Sequence, residues 1–127
     1  MLEQGGSFPH FEVTAIDGSP VSYDRLWQRW NLLLVTLPTG NGAEFDTYVS
    51  RLTARRPELA ELNTVLVITR DVIRGVDAPG VVVADRWGEV CFTTAADRTS
   101  GLAEPDQLLE WLRYLQQQCP ECEGESR

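Results

Sequence analysis

The chain has 127 residues, of which 43% are hydrophobic, and its formal net charge is −8. This length is enough to bury one core and too short for two, so a single domain is expected. The negative charge argues against binding to nucleic acid or to an anionic membrane surface, because both are negatively charged themselves. All eleven basic residues are arginine, which excludes a Schiff-base lysine and a phosphate-binding lysine.

The amino-terminal residues contain neither a basic start nor an apolar run. The longest apolar stretches, Leu32 to Val35 and Val81 to Ala84, are far too short to span a membrane. Three cysteines in a domain of this size do not form a disulfide framework, as is usual in a reducing compartment. We therefore expect a cytoplasmic protein, and no cofactor is indicated.

The first quarter of the chain predicts a strand, a turn and a short helix. Residues 8 to 16 alternate between apolar and polar side chains and run into Asp17-Gly18, a sequence typical of turns. A helix over residues 23 to 30 would place Trp27 and Trp30 on one apolar face, in or at the edge of the core.

A βαβ unit follows. Asn31 to Leu37 is almost continuously apolar, as in a strand that is covered on both faces. Residues 38 to 42 break the strand, and from Ala43 the apolar residues recur at helical spacing until Pro57. Thr64 to Thr69 predicts a second buried strand. Two such strands joined by a helix should be parallel, with a right-handed connection.

The rest of the chain predicts a hairpin and a helix. Gly80 to Asp85 and Glu89 to Thr94 flank a three-residue turn that contains glycine, which favours an antiparallel hairpin. A final helix starts at Pro105, a residue favourable at the first helical position. We therefore expect one domain over residues 1–118, followed by an acidic tail over residues 119–127.

This order of elements resembles the thioredoxin fold in its larger redoxin form. The stretch from Gly6 to Leu26, with Phe8-Pro9-x-Phe11, looks like the opening of peroxiredoxins of the AhpC/TSA family. Asp85-Arg-Trp-Gly-Glu89 stands where those proteins carry Asp-x-x-Gly. The resemblance covers residues 5 to 118. It implies an α/β thioredoxin-like fold with a mixed central β-sheet, built from the βαβ unit, the hairpin and the carboxyl-terminal helix, with an amino-terminal strand and short helix added.

The resemblance also implies an antioxidant oxidoreductase, yet the expected cysteine is missing. Redoxins place it where the strand over residues 32–37 ends and the next helix begins, because free N–H groups and the helix dipole stabilise a thiolate there. No cysteine precedes Cys91, and a threonine cannot form the sulfenic acid through which peroxide is reduced. This position is therefore a degenerate active-site loop, formed by Pro38, Thr39, Gly40 and Asn41.

Other residues near this loop follow from the same resemblance. Redoxins carry a cis-proline that faces the loop, so Ala78-Pro79 is the expected cis bond. Arg70 and Arg74 are candidates for a peroxidase-like arginine, although a solvated surface role is the simpler interpretation. Thr39 and Asn41 are most simply turn or helix-capping residues.

Redox chemistry could instead use Cys119 and Cys122, which form a Cys-x-x-Cys sequence. This spacing is compatible with a disulfide, with half of a zinc site that a second copy would complete, or with no special role. Thiolate formation is disfavoured here, because the pair follows the end of a helix and lies among glutamates. Cys91 is expected to be a core residue near the same end of the domain.

Two functions remain open from the sequence. The first is a thiol-disulfide oxidoreductase that acts through Cys119 and Cys122 with a thiol reductant. The second is a redox-inactive module that binds a protein partner, or a second copy of itself, through the degenerate loop and Trp87. A tryptophan at a hairpin tip is expected to be exposed, and exposed tryptophan is enriched in interfaces, although packing of Trp87 against the tail is an alternative.

Overall fold

A four-stranded mixed sheet forms the centre of the computed structural model, which describes residues 5–38, 42–95 and 102–126, without the side chains of residues 42–44, 95 and 116–126. Its strands are β3 (Asn31–Thr36), β4 (Thr64–Thr69), β5 (Gly80–Ala84) and β6 (Val90–Ala95). They lie in the order β4, β3, β5, β6. Strands β3 and β4 are parallel, whereas β5 runs antiparallel to both of its neighbours, β3 and β6. The predicted mixed sheet, with its βαβ unit and hairpin, is confirmed.

Helices cover one face of this sheet. Helix α1 spans Gly42–Thr53, α2 spans Arg56–Glu61 and α3 spans Pro105–Ser126. Every residue of β3 and β5 is buried, as expected for strands that are covered on both faces. None of the described helices is long and apolar enough to cross a membrane.

Helix α3 joins the domain beside the second half of α1. The hydroxyl of Tyr48 donates a hydrogen bond of 2.6 Å to the carbonyl oxygen of Ala103. Arg55 pairs with Asp106 at 2.6 Å and with Glu58 at 2.6 Å. These contacts fix the start of α3 against both α1 and α2.

The helix does not stop at residue 118, where the sequence predicted a separate tail. It continues to Ser126 and includes Pro120. A proline inside a helix removes one backbone hydrogen bond and its ring crowds the carbonyl four residues earlier, so Pro120 is an unfavourable residue at this position. Residues 119–126 nevertheless extend α3.

The amino-terminal segment covers the opposite face of the sheet. Strands β1 (Glu12–Thr14) and β2 (Pro20–Ser22) form a short antiparallel hairpin. The predicted helix over residues 23 to 30 is wrong in extent: only Tyr23–Arg25 form a short 3-10 helix. Gln28 takes a left-handed φ of 72° and donates its backbone N–H to the carbonyl oxygen of Arg86 at 2.6 Å. This bond to the hairpin replaces continuation of the helix.

Tyr23 is the centre of the core on this second face. Its side chain is fully buried among aromatic rings, with Phe8 and Phe11 at centroid distances of 5.5 and 5.3 Å. The hydroxyl finds no hydrogen-bond partner among the described residues. Burial, together with the nearby charge of Asp85, raises the pKa of Tyr23 to about 12.

Candidate functional site

The degenerate loop follows strand β3 at one end of the sheet, where β3 and β4 both reach their carboxyl ends. Thr36 is buried, and its Oγ1 donates a hydrogen bond of 2.6 Å to the carbonyl oxygen of Asp77. The backbone N–H of Leu37 donates to the carbonyl oxygen of Thr69 at 2.9 Å. The end of β3 is thereby held between β4 and the segment that leads into β5.

Arg70 holds the first residue of the degenerate loop. Its Nη1 donates a hydrogen bond of 2.9 Å to the carbonyl oxygen of Pro38, and both residues are half-buried. Arg74 is exposed. Of the two arginines that the sequence raised as candidates, Arg70 is therefore the one in contact with the loop. The other loop residues, Thr39, Gly40 and Asn41, lie outside the described residues.

Pro79 is buried, and the Ala78-Pro79 bond is cis. This expectation is confirmed. Gly80 follows at a position that has no room for a side chain, because a Cβ atom would lie 2.4 Å from the carbonyl oxygen of Asp77 and 3.2 Å from Oγ1 of Thr36. The backbone before β5 therefore packs directly against the end of β3.

A pocket of about 410 Å³ opens between these segments. Val72, in the loop after β4, is among the lining residues and is 95% exposed. The described lining contains both apolar and charged residues, and none of them is a cysteine. The lining residues are Thr36, Leu37, Pro38, Arg70, Asp71, Val72, Ile73, Val76, Asp77 and Ala78. An open pocket of this composition suits a chain segment that offers both apolar side chains and polar backbone groups.

The chain's cysteines do not line this pocket in the part that the structure describes. Cys91 is half-buried on β6 and packs against the core on the face of the sheet that the helices cover. Its Sγ lies 3.5 Å from the carbonyl oxygen of Glu89. Cys119 and Cys122 lie on helical backbone, and their side chains are outside the description. Within the described part of the chain no three His, Cys, Asp or Glu side chains are grouped to hold a metal ion.

Trp87 lies at the opposite end of the sheet from the pocket. Its hairpin packs beside the start of β3, where the backbone N–H of Arg86 donates to Oδ1 of Asn31 at 3.0 Å. Strand β3 separates the two ends by roughly 17 Å. Trp87 is 52% exposed, as predicted. It does not form one continuous surface with Pro38, so the degenerate loop and Trp87 are separate candidate sites.

Solved structures of several peroxiredoxins match this architecture. The yeast mitochondrial 1-Cys peroxiredoxin is 17% identical, and the match covers 95% of this chain and 79% of that protein, with a TM-score of 0.76. AhpC from Mycobacterium tuberculosis is 14% identical, with coverages of 91% and 94% and a TM-score of 0.73. The 2-Cys peroxiredoxin of Plasmodium vivax is also 14% identical, with coverages of 90% and 82% and a TM-score of 0.73.

The chain has the thioredoxin-like fold of the peroxiredoxins. The sequence resemblance to a redoxin of the AhpC type is thus supported at the level of the fold. No protein-family model and no curated protein matches the chain. Sequence identities this low show the fold alone, so the activity must be argued from the residues of this chain.

Sequence reasoning missed several residues of the pocket. Val72 follows the second strand in a stretch without a motif, and the pairing of Thr36 with Asp77 joins residues far apart in the chain. Gly80 was detectable in principle, since a glycine directly after a candidate cis-proline is typical of a close backbone approach.

Proposed function

We propose that this protein is a peroxiredoxin-fold module that binds an extended segment of a protein partner in the pocket at the carboxyl ends of β3 and β4. The observation that carries the proposal is the composition of the pocket: its described lining combines apolar side chains with the charged groups of Arg70, Asp71 and Asp77, and it contains no cysteine. The pocket retains the shape of a binding site and lacks the nucleophile of thiol chemistry.

The exposure of Val72 favours a protein as the ligand of this pocket. A valine that is 95% exposed makes no contribution to the core, and an apolar side chain in the lining of a pocket gains free energy when a ligand covers it. One N–H group of Arg70 donates a hydrogen bond to the carbonyl oxygen of Pro38. The guanidinium has further N–H groups that can reach a peptide carbonyl or carboxylate. A cytoplasmic location is part of this proposal.

The proposal is tested by selecting peptides of about ten residues from a random library against the immobilised protein. Val72→Asp should abolish the enrichment, because it places a charge where an apolar contact is expected. Tyr114→Asp is the matched control, since Tyr114 is 51% exposed on α3, away from the pocket. The proposal is wrong if Val72→Asp selects the same peptides as the unchanged protein.

Thiol-disulfide exchange through Cys119 and Cys122 is the second candidate function. Helix α3 includes both positions. Their Cys-x-x-Cys spacing is compatible with a dithiol that cycles with a reductant, or with one half of a zinc site that a second copy completes.

Mass spectrometry separates these states. After alkylation with and without a reductant, a pair that cycles gains two labels only when reductant is present, and a zinc-bridged dimer contains one metal ion for two chains. Three thiols that label equally under both conditions, in a sample without zinc, would remove the second candidate.

A further inference from the structure

A second pocket, of about 480 Å³, adjoins the pocket at the carboxyl ends of β3 and β4. It lies on the amino-terminal hairpin, because its lining includes every residue of β1 and β2, together with Arg25 and Asp71. Asp71 lines the first pocket as well. A ligand that leaves the first pocket past Asp71 therefore enters the second.

The end of β4 holds the outer edge of β1 at Thr14. Oδ2 of Asp71 accepts the backbone N–H of Thr14 at 2.7 Å. Oγ1 of Thr69 donates to the carbonyl oxygen of Thr14 at 2.8 Å. Both main-chain groups of Thr14 thus point away from β2, and the residues at the end of β4 bind them.

The main chain of Glu12 points to the same edge of β1. In an antiparallel hairpin, opposite residues alternate between pairs that exchange hydrogen bonds and pairs whose N–H and C=O groups point outwards. The backbone N–H of Tyr23 donates to the carbonyl oxygen of Phe11 at 2.9 Å, so Phe11 belongs to the first kind. Glu12, which lies opposite Ser22, belongs to the second. Its outward N–H and C=O groups bond to no residue that the structure describes.

A strand edge with free N–H and C=O groups is a template for another extended chain. The other edge of the hairpin is less suitable, because Pro20 in β2 has no N–H to donate. Glu12 is two residues from Thr14, or about 7 Å along β1. A chain that leaves the first pocket past Asp71 thus reaches Glu12 within about two extended residues.

The second pocket favours a positively charged ligand. Glu12 and Asp71 are both exposed, and neither forms an ion pair with another described residue. Arg25 is the one basic residue of the described lining. Two carboxylates against one guanidinium give this lining a negative charge, which attracts a lysine or arginine side chain.

We propose that the partner segment in the first pocket continues past Asp71 and pairs as a strand with the edge of β1 at Glu12. A lysine or arginine of the segment then lies beside Asp71. This inference rests on the proposed function, because it extends the ligand of the same pocket. The ligand is thus an extended, cationic segment of a protein, held by main-chain hydrogen bonds at Glu12 and selected for charge by Asp71.

Main-chain pairing is tested by two substitutions at one position. Peptides are selected on the unchanged protein, and their dissociation constants are measured by fluorescence anisotropy. Glu12→Pro removes the outward N–H and leaves the bonds between β1 and β2 in place. Glu12→Ala keeps this N–H. Both variants lose the carboxylate, so Glu12→Pro should bind about fivefold more weakly than Glu12→Ala, the effect of one hydrogen bond.

A scan of N-methylated peptides tests the same pairing on the unchanged protein. In a paired strand, every second residue exchanges hydrogen bonds with the neighbouring strand. In the half of the peptide that lies beyond the first pocket, methylation at alternate residues should therefore weaken binding about fivefold. Methylation at the residues between them should have less effect.

The charge of Asp71 is tested by Asp71→Asn. The amide oxygen of asparagine can still accept the N–H of Thr14, so the hairpin stays attached. Binding of the selected lysine- or arginine-containing peptides should weaken about threefold, as for an exposed ion pair, and should become less sensitive to salt. Asp46→Asn, at an exposed carboxylate on α1, is the matched control and should leave both quantities unchanged.

The outcomes separate this inference from the proposed function. Strand pairing is wrong, and the pocket proposal stands, if Val72→Asp abolishes binding while Glu12→Pro binds like Glu12→Ala and the methylation scan shows no alternation. Selected peptides without lysine or arginine, or an Asp71→Asn variant that binds like the unchanged protein, would overturn the assigned charge preference. If Val72→Asp leaves binding unchanged, the peptide does not use the first pocket, and both proposals fail.

Discussion

Arg70 and Pro38 are joined by a hydrogen bond of 2.9 Å from the guanidinium to the backbone carbonyl. The two residues follow neighbouring parallel strands, β4 and β3, so the bond ties the ends of both strands together at the pocket. A side chain thus holds the loop at the position where the peroxiredoxin fold would present a cysteine.

Removal of this bond should destabilise the protein modestly. Arg70→Met keeps much of the apolar stem and leaves the carbonyl of Pro38 without its donor, so the free energy of unfolding should fall by about 0.5 to 1.5 kcal/mol. Urea denaturation measures the change. Arg74 is exposed, so the free energy of unfolding of Arg74→Met should stay within about 0.5 kcal/mol of that of the unchanged protein. Equal effects of the two variants would contradict the assigned role of Arg70.

The two buried tyrosines should respond in opposite ways to loss of their hydroxyl groups. Tyr48→Phe removes a buried hydrogen bond of 2.6 Å to Ala103 and should cost about 1 to 2 kcal/mol. Tyr23→Phe removes a buried hydroxyl without a partner among the described residues, so stability should be unchanged or higher. Thermal unfolding of the matched pair measures the difference, and a clear loss in Tyr23→Phe would indicate a partner for that hydroxyl.

Alkaline pH should destabilise the protein partly through Tyr23. Its pKa is raised from 10.0 to about 12, so the folded state favours the neutral phenol. The resulting stability is complete below pH 10 and is lost as the pH rises toward about 12. The free energy of unfolding of Tyr23→Phe should therefore fall less steeply across this range. Parallel curves for the variant and the unchanged protein would contradict the assignment.

Acid should weaken the contact between the three helices. Hydrogen bonds from Arg55 lower the pKa of both Glu58 and Asp106, so these carboxylates favour the folded state at neutral pH. That contribution is lost as the pH falls through their lowered pKa values. Arg55→Met should show a shallower loss of stability in acid, measured by urea unfolding at a series of pH values, whereas Arg25→Met should not. A slope that is unchanged in Arg55→Met would show that these pairs are not coupled to folding.

Much of the fold was predictable from the sequence, because its main signals are local. The apolar runs of β3, β4 and β5 have few alternatives to burial in a sheet, and the glycine-bearing turn between β5 and β6 determines an antiparallel hairpin. The cis bond before Pro79 came from the resemblance to redoxins.

The remainder depends on contacts between distant parts of the chain. The short helix ends at Arg25, and the backbone N–H of Gln28 then donates to the carbonyl oxygen of Arg86, a residue far along the chain. The pocket likewise depends on Thr36 meeting Asp77. Helical periodicity and turn propensity contain no information about such pairs.

The central claim is that the pocket binds a peptide without thiol chemistry, and one binding measurement tests it most directly. A peptide selected on the unchanged protein is titrated against that protein and against the triple variant Cys91→Ala, Cys119→Ser, Cys122→Ser, with fluorescence anisotropy as the readout. The account predicts dissociation constants within about twofold of each other, because no cysteine takes part in binding. A twofold difference corresponds to less than about 0.5 kcal/mol of binding free energy. A peptide that is held as a mixed disulfide, released by reductant and not bound by the triple variant, would contradict it.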